Sequence, residues 1–396
     1  MTDSDRGNAL GLPGAWAMAV GGMIGGGIFS TLGVVISVAG QWAALSFLIG
    51  GLIAWCSGHS YAELTVRRDQ PGGSYGFLRD LGHYTLARWI MWILIAGYTL
   101  TVAVYGFTFG AYAAHALGAA HWLAPTCAVA AIALLAGVNL MGAREATIVE
   151  LIAVWAKLFI LLGLAAFGLW HWAPHELIVE AGAPVGPMGA IAGVGVVFMA
   201  YEGFQLLSYD YDEMKDAKRT IRRAMSLAII ATCVTYILVA IGTPMLTGAK
   251  AIVAKEEVAL AEAGFAALGE PGLILVTIAA IFSTASAINA TVFGTARLAG
   301  EAARDGELPA LFGALNGRGV PWVGVTVISG FAMVMAVIGG ITPLVEGASF
   351  VFLLVFALVN SIAWRQKVRH RWLSASGALG AIGSAIVLAL YVTNQF

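Results

Sequence analysis

Five glycines fall within seven positions, at Gly21, Gly22, Gly25, Gly26 and Gly27, inside an otherwise apolar run. Each costs an α-helix about 1 kcal/mol relative to alanine, so the sequence predicts an unwound stretch over 21–30. Backbone freed at membrane depth survives only where protein or a water-filled cavity satisfies its polar groups. Its N–H groups, with the positive end of the following half-helix, would suit an anion such as a carboxylate. The other reading is that these glycines let helices pack closely. A counterpart lies at Phe198-Met199-Ala200-Tyr201-Glu202-Gly203-Phe204-Gln205. Interrupted helices at corresponding places of two inverted halves point to a transport site near the bilayer midplane.

Two charges stand out at depth. Lys157 lies about eleven residues, or roughly 16 Å, into its apolar run. A buried ammonium costs several kcal/mol unless paired or neutralised, and burial shifts a lysine toward proton exchange; a permanently charged tether between helices is the alternative. Glu202 could contact a substrate ammonium, gate the site or carry a proton, or cap free N–H groups beside it. Asp210, Asp212 and Glu213 fall at a boundary where a hydrated mouth is expected. His59 could shuttle protons or be a satisfied structural histidine.

The elements that must position these groups are membrane helices. The chain of 396 residues is 60% hydrophobic and 11% charged, against about a quarter charged in soluble domains. A bilayer core about 30 Å thick takes roughly 20 apolar residues per helix. Dividing the chain where polar residues, Gly or Pro interrupt such runs gives spans at 12–38, 41–66, 84–118, 122–141, 146–172, 186–212, 223–246, 269–302, 321–340, 344–364 and 373–394. The fold class is thus an all-α integral membrane protein of about eleven transmembrane helices. The first apolar run is too long, and lacks the cleavage site, for a removable signal peptide. Residues 247–268 are expected to form either a helical lid or a solvated loop, and 303–320 the longest connection at the opposite end.

Placing the N-terminus in the cytoplasm puts all but three of the 21 Lys and Arg residues inside. The exceptions are Lys157, Lys250 and Lys255. The positive-inside rule therefore orients the chain, with the cell (inner) membrane as its expected location. Net charge is −1 without a basic block, so nothing points to nucleic acid. Cys56, Cys127 and Cys233 show neither metal-ligand nor disulfide spacing. No nucleophile elbow, metal pair or other catalytic constellation occurs, which argues against an enzyme. No filter-like repeat supports an ion channel.

Several motifs recur in order along nearly the whole chain. They are the glycine stretch ending Gly27-Ile28-Phe29, Tyr61-Ala62-Glu63-Leu64, Pro71-Gly72-Gly73-Ser74-Tyr75 and Tyr201-Glu202-Gly203-Phe204. Glu213-Met214-Lys215-Asp216-Ala217-Lys218-Arg219-Thr220-Ile221 and Arg304-Asp305-Gly306-Glu307-Leu308-Pro309 complete the set. Together they resemble the amino acid-polyamine-organocation superfamily of transporters, and most closely its bacterial and archaeal proton-coupled amino acid permeases. The resemblance implies a LeuT-like five-plus-five inverted repeat with helices 1 and 6 broken. Its first repeat would be 1–172, its second 184–368, and a peripheral eleventh helix would fill 372–396. Many relatives have twelve helices, so the resemblance leaves the oligomeric state open.

The resemblance also implies a small-molecule substrate, an amino acid or related amine, carried by alternating access with the lipid bilayer as surroundings. Its site would comprise Met23, Ile24, Gly25, Gly26, Gly27 and Ile28 with Met199, Ala200, Tyr201, Glu202, Gly203, Phe204 and Gln205. The carboxylate would meet the amides of Gly25 to Ile28, and the ammonium the carbonyls near Tyr201 and Glu202. Lys157 is similar in position to a lysine that, in proton-coupled relatives, reaches helix 1 where sodium-coupled ones hold a cation. The proton is therefore the expected coupling ion, through Lys157 and Glu202, and no cofactor is expected. Ser283 and Thr284 resemble the hydroxyls that complete a sodium site and keep that option open. Tyr98, Tyr105 and Phe350 are expected, by their positions on helices 3 and 10, to gate or line the pocket, with plain packing as the alternative. Gln205 stands where some exchangers of basic amino acids are acidic, which argues against a strongly cationic substrate. Exchange of an amino acid for its amine or for another amino acid is the alternative to symport.

Overall fold

Apolar runs of this length can satisfy their backbone in a bilayer only as helices, and the computed structural model is helical accordingly. It describes residues 10–118, 122–142, 147–179 and 186–393, without the side chains of 147–149. Arg6 and Arg144, counted above among the inner charges, lie outside the described residues, as do residues 1 and 184, where the expected repeats begin, and residue 396. Among the described residues the only β pairing is two isolated bridges.

Among the described residues eleven helical spans follow one another. They are α1 (Leu12–Ala39), α2 (Ala43–Arg68), α3 (Tyr84–Ala116), α4 (Leu123–Leu140), α5 (Thr147–Trp170) and α6, which is divided into Met188–Val197 and Phe204–Glu213. Then come α7 (Ala217–Gly242), α8 (Glu270–Arg304), α9 (Trp322–Ile338), α10 (Ile341–Arg365) and α11 (Arg371–Val392). Among the described residues nine stretches are long and apolar enough to cross a membrane, α1 and α2 forming the single run Leu12–Arg68 and α6 counting as Met188–Glu213, while α9 is apolar but 17 residues long. At 1.5 Å per residue, α3 and α8, with 33 and 35 residues, reach about 50 Å and so must tilt or project beyond a 30 Å core.

The expected break in α1 is not found. Helix runs without interruption from Leu12 to Ala39, through all five glycines. The physical reason is packing: the energy lost at each glycine is offset because neighbouring chains come into the space a side chain would fill. A Cβ on Gly25 would stand 2.6 Å from that of Ala287, and one on Gly26 would stand 2.0 Å from the ring of Tyr105. Close helix packing on small residues is therefore what the glycine stretch does in this conformation.

α1 and α6 occupy the middle of the bundle, α6 being the most buried span and α4 among the least. Around them α2 packs on α7, α3 on α8, and α10 on α11. Ser57 and Ser60 of α2 bond Asn360 of α10 at 2.8 and 2.6 Å, and Ser60 also reaches Ser374 of α11 at 2.8 Å. Such hydrogen bonds hold helices together where the lipid supplies no hydrophobic drive, so α11 is bound into the bundle.

The two ends differ. Residues 247–268 take the helical reading, as Ala249–Lys255 and Ala259–Leu268, and the backbone of Glu256 closes directly over Gly33 of α1. At the arginine-rich end, ion pairs join separate elements. Arg222 forks onto Glu63 at 2.7 and 3.0 Å, Lys218 meets Asp69 at 3.1 Å, and Arg79 and Arg88 meet Asp305 and Glu307. Tyr211 donates to Asp69, and with Lys218 this holds the Asp69 carboxyl below the usual carboxylate range.

Candidate functional site

The break in α6 is present. After Val197 one 3-10 turn covers Phe198–Tyr201, Glu202 is extended, and Gly203 has φ 128° and ψ −37° before the chain resumes at Phe204. Side-chain-bearing residues rarely adopt that conformation. There is no room for a side chain either, since a Cβ would lie 2.6 Å from the carbonyl carbon of Gly22 and 2.8 Å from the amide nitrogen of Met23. The break thus seats backbone against backbone on α1, and Gly22 and Gly203 serve each other.

Polar groups freed by the break find partners from four directions. Met199 N donates to Ser349 of α10 at 2.9 Å, and that hydroxyl donates onward to Val196 O at 2.7 Å. Gly203 N donates to the Gln205 side chain at 3.0 Å, whose amide donates to Tyr98 of α3 at 3.2 Å. Tyr201 donates to Phe47 O of α2 at 2.6 Å. Tyr236 of α7 lies 2.7 Å from Met23 O and 2.9 Å from Ala200 O. Its single proton serves one carbonyl at a time, so this hydroxyl links α1 to the break and can exchange between them.

Glu202 is 1% exposed. One carboxylate oxygen accepts from Tyr105 at 3.3 Å, and the other, Oε1, has no hydrogen-bond partner among the described residues. Leaving a buried acceptor unsatisfied costs about 1–3 kcal/mol, so this oxygen marks where a donor would be welcome. The Tyr105 ring meanwhile lies against Gly26 and fills the space between α1, α3 and the break.

The other predicted residues divide. Gly25 to Ile28 are helical here, so their amides are engaged within α1 and are not the free carboxylate ligands expected. Ser283 donates to Ile24 O at 2.7 Å, whereas Thr284 bonds back to Ala280 and Ile281 of its own helix. The pair is therefore adjacent in sequence but aimed differently. Lys157 is buried at 5% exposure. Glu150 and Val154 of α5 abut Gly21, and Lys157 follows Val154 by three residues on the same face. That spacing carries it about 4.5 Å beyond Val154 along α5.

Phe350 is a correction. It is 36% exposed on the outer face of α10, whereas Phe352 is fully buried with its ring 5.3 Å from Tyr98. Two residues turn a helix by about 200°, so the gate expectation fell on the wrong face. Phe352→Ala is expected to cost about 3–5 kcal/mol, read as a lowered melting temperature in detergent, and Phe350→Ala to shift it little. His59 takes the structural reading, bonding Arg369 O at 2.6 Å.

Tyr236 was missed by sequence reasoning. The only signal was a tyrosine midway along an apolar span, and its partners are backbone carbonyls that no side-chain pattern announces.

Between the break and the arginine-rich end lies a vestibule of about 730 Å³ whose walls include Arg68, Tyr209, Asp212, Arg297, Glu301 and Arg304. Asp210 pairs with Arg297 beside it at 3.5 Å. The vestibule's Tyr209 wall follows Gln205 by four residues along α6, while at the opposite end the Glu256 backbone lies over Gly33.

Comparison with known proteins agrees with this architecture. Residues 10–396 match the family model described as amino acid permease. The chain is 30% identical over 400 residues to the inner membrane transport protein YbaT of Escherichia coli, covering 99% of this chain and 91% of that protein. It is 25% identical over 357 residues to the serine/threonine exchanger SteT of Bacillus subtilis, covering 88% and 81%. Among solved structures, a mutant manganese transporter of Eremococcus coleocola superposes with a TM-score of 0.65 at 14% identity, over 100% of this chain and 88% of that one. That likeness shows the fold alone. A multi-pass, all-helical chain matched along its length in this way is a transporter rather than an enzyme, and it belongs to the amino acid permease family.

Proposed function

We propose that the protein is a proton-coupled amino acid symporter working by alternating access. The observation that carries the reading is the buried Glu202 carboxylate at the α6 break, half-satisfied and bonded to Tyr105, whose ring lies against Gly26 of α1. Its open oxygen would receive the substrate ammonium, together with the carbonyls of Met23 and Ala200 that Tyr236 now occupies. For the carboxylate to reach the amides of Gly25 to Ile28, α1 must loosen at its glycines as the Tyr105 ring withdraws from Gly26. Helix there is weak by propensity and is held by contacts that move with α3 and α7, so opening and binding would be coupled.

Orientation by the positive-inside rule places the arginine-rich end and the N-terminus in the cytoplasm of a cell whose inner membrane holds the protein. The vestibule is then the inward path, Tyr98 and Gln205 its inner gate, and the helical cap the closed outer side. The broken α6 opposite a glycine-rich α1 supports two inverted five-helix repeats. Burial of Lys157 one helical turn beyond the Val154 contact with Gly21 supports proton coupling, in which the lysine would take up and release one proton as the path opens and closes. Exchange is the second reading, favoured by the likeness to a serine/threonine exchanger.

The test is uptake of a labelled amino acid panel into proteoliposomes, with a proton gradient, a sodium gradient or internal amino acid imposed separately. Accumulation driven by the proton gradient alone is expected. Uptake requiring internal amino acid would favour exchange, sodium dependence would return Ser283 to a cation site, and no flux of any amino acid would sink the substrate assignment.

A further inference from the structure

A second cavity, of about 200 Å³, lies at the arginine-rich end and shares no lining residue with the vestibule. Its walls are Trp55 and His59 of α2, Arg222 and Ser226 of α7, and Arg369 and His370 from the connection between α10 and α11. We propose that it binds the phosphate of an anionic phospholipid from the leaflet at that end.

The first argument is charge. Glu63 also faces the cavity, but both its oxygens are taken by the Arg222 fork, so that pair is neutral and does not repel an anion. Arg369 donates through Nε to His370 at 3.1 Å, and its two terminal nitrogens make no hydrogen bond among the described residues. Ser226 accepts from the Trp55 indole at 2.8 Å and keeps its own proton to donate. The cavity thus offers a guanidinium fork, the group best shaped for phosphate, together with a hydroxyl donor.

Rigidity is the second. The connection carrying Arg369 is strapped to α2 through its backbone: Arg67 donates to Gln366 O, and His59 bonds Arg369 O. Lys367 and His370 both have φ 52°, an uncommon conformation for residues with side chains, and one that persists where its surroundings impose it. Arg369 is therefore held at the cavity by bonds that do not use its side chain.

The third is what continues from the cavity into the bilayer. Leu48 and Leu52 of α2 lie one face along from Trp55 and His59, and Leu227, Ile230 and Val234 of α7 continue from Ser226. All five are exposed apolar side chains, giving acyl chains a bed directly below the phosphate. Tryptophan at this level is characteristic of the membrane interface, and basic pockets between helices are recognised phospholipid headgroup sites.

The test is binding to the purified full-length protein in detergent, by native mass spectrometry and thermal shift. The probes are phosphatidylglycerol, phosphatidylcholine and inorganic phosphate. Phosphatidylglycerol is expected to bind severalfold more tightly than phosphatidylcholine. Arg369→Gln should weaken it about fivefold, one cation near the surface being worth about 1 kcal/mol, while Arg369→Lys retains most of it. Arg318→Gln, at the same end but outside the cavity, should leave it unchanged. Should Arg369→Gln fail to fold, Ser226→Ala is expected to weaken binding by a few fold through loss of one hydrogen bond. Equal affinity for the two lipids, equal effects of Arg318→Gln and Arg369→Gln, no effect of Ser226→Ala where it replaces Arg369→Gln, or inorganic phosphate alone reproducing the shift would each overturn the proposal.

Discussion

Gly203→Ala is expected to abolish amino acid accumulation in proteoliposomes and to lower the melting temperature of the purified protein. Two penalties act at once. The added methyl group must sit at φ 128°, a conformation costing of order 1–3 kcal/mol for a residue with a side chain. It must also displace backbone, since the nearest atoms belong to the Gly22 carbonyl and the Met23 amide, and overpacking of a tight core costs about 1–3 kcal/mol more. A flexible side chain could turn aside, but a helix backbone cannot. The α6 break must then part from α1, and Glu202 and the Tyr236 bridge move with it. Gly330→Ala, on α9 with nothing within 4 Å of the new methyl group, is the control and should leave both readings near wild type. Wild-type transport and stability in Gly203→Ala would mean that close seating of the break on α1 is not needed for the cycle.

The same contact explains what could and could not be read from the sequence. Span number and order were legible because apolar run length has one physical meaning in a bilayer. Gly203 and Glu202 were legible as an interruption because a glycine beside a carboxylate inside such a run has few structural uses. The glycines of α1 were not decided by their own spacing. Propensity argues for unwinding, packing argues for helix, and the outcome depends on Tyr105, Ala287, Tyr236 and Ala200, which lie far away in sequence. Phe350 failed for a related reason. A span that is apolar all round carries little signal for which face turns inward, so an aromatic residue can be placed on the right helix and the wrong side. Tyr236 was invisible because it acts on carbonyls, which every residue possesses.

Lys157→Ala is expected to remove proton-driven accumulation while leaving exchange of internal for external amino acid measurable. Lys157 is within a 24-residue apolar helix and almost wholly buried, where an ammonium must be paired or neutralised. In the proposed cycle Lys157 would take up a proton as the path opens and release it as the path closes. A group cycling in this way ties one proton to each passage of the gate, whereas alanine leaves the gate to move without it. Exchange needs the conformational change but no net proton, so the two activities should separate. Accumulation should fall by at least an order of magnitude, with counterflow reduced far less. A fixed tether from α5 to α1 predicts a different pattern, because losing it would loosen the bundle and depress accumulation, exchange and melting temperature together. Lys157→Arg divides the readings further, since arginine keeps its charge in proteins. It would preserve a tether, and it would fail as a proton carrier.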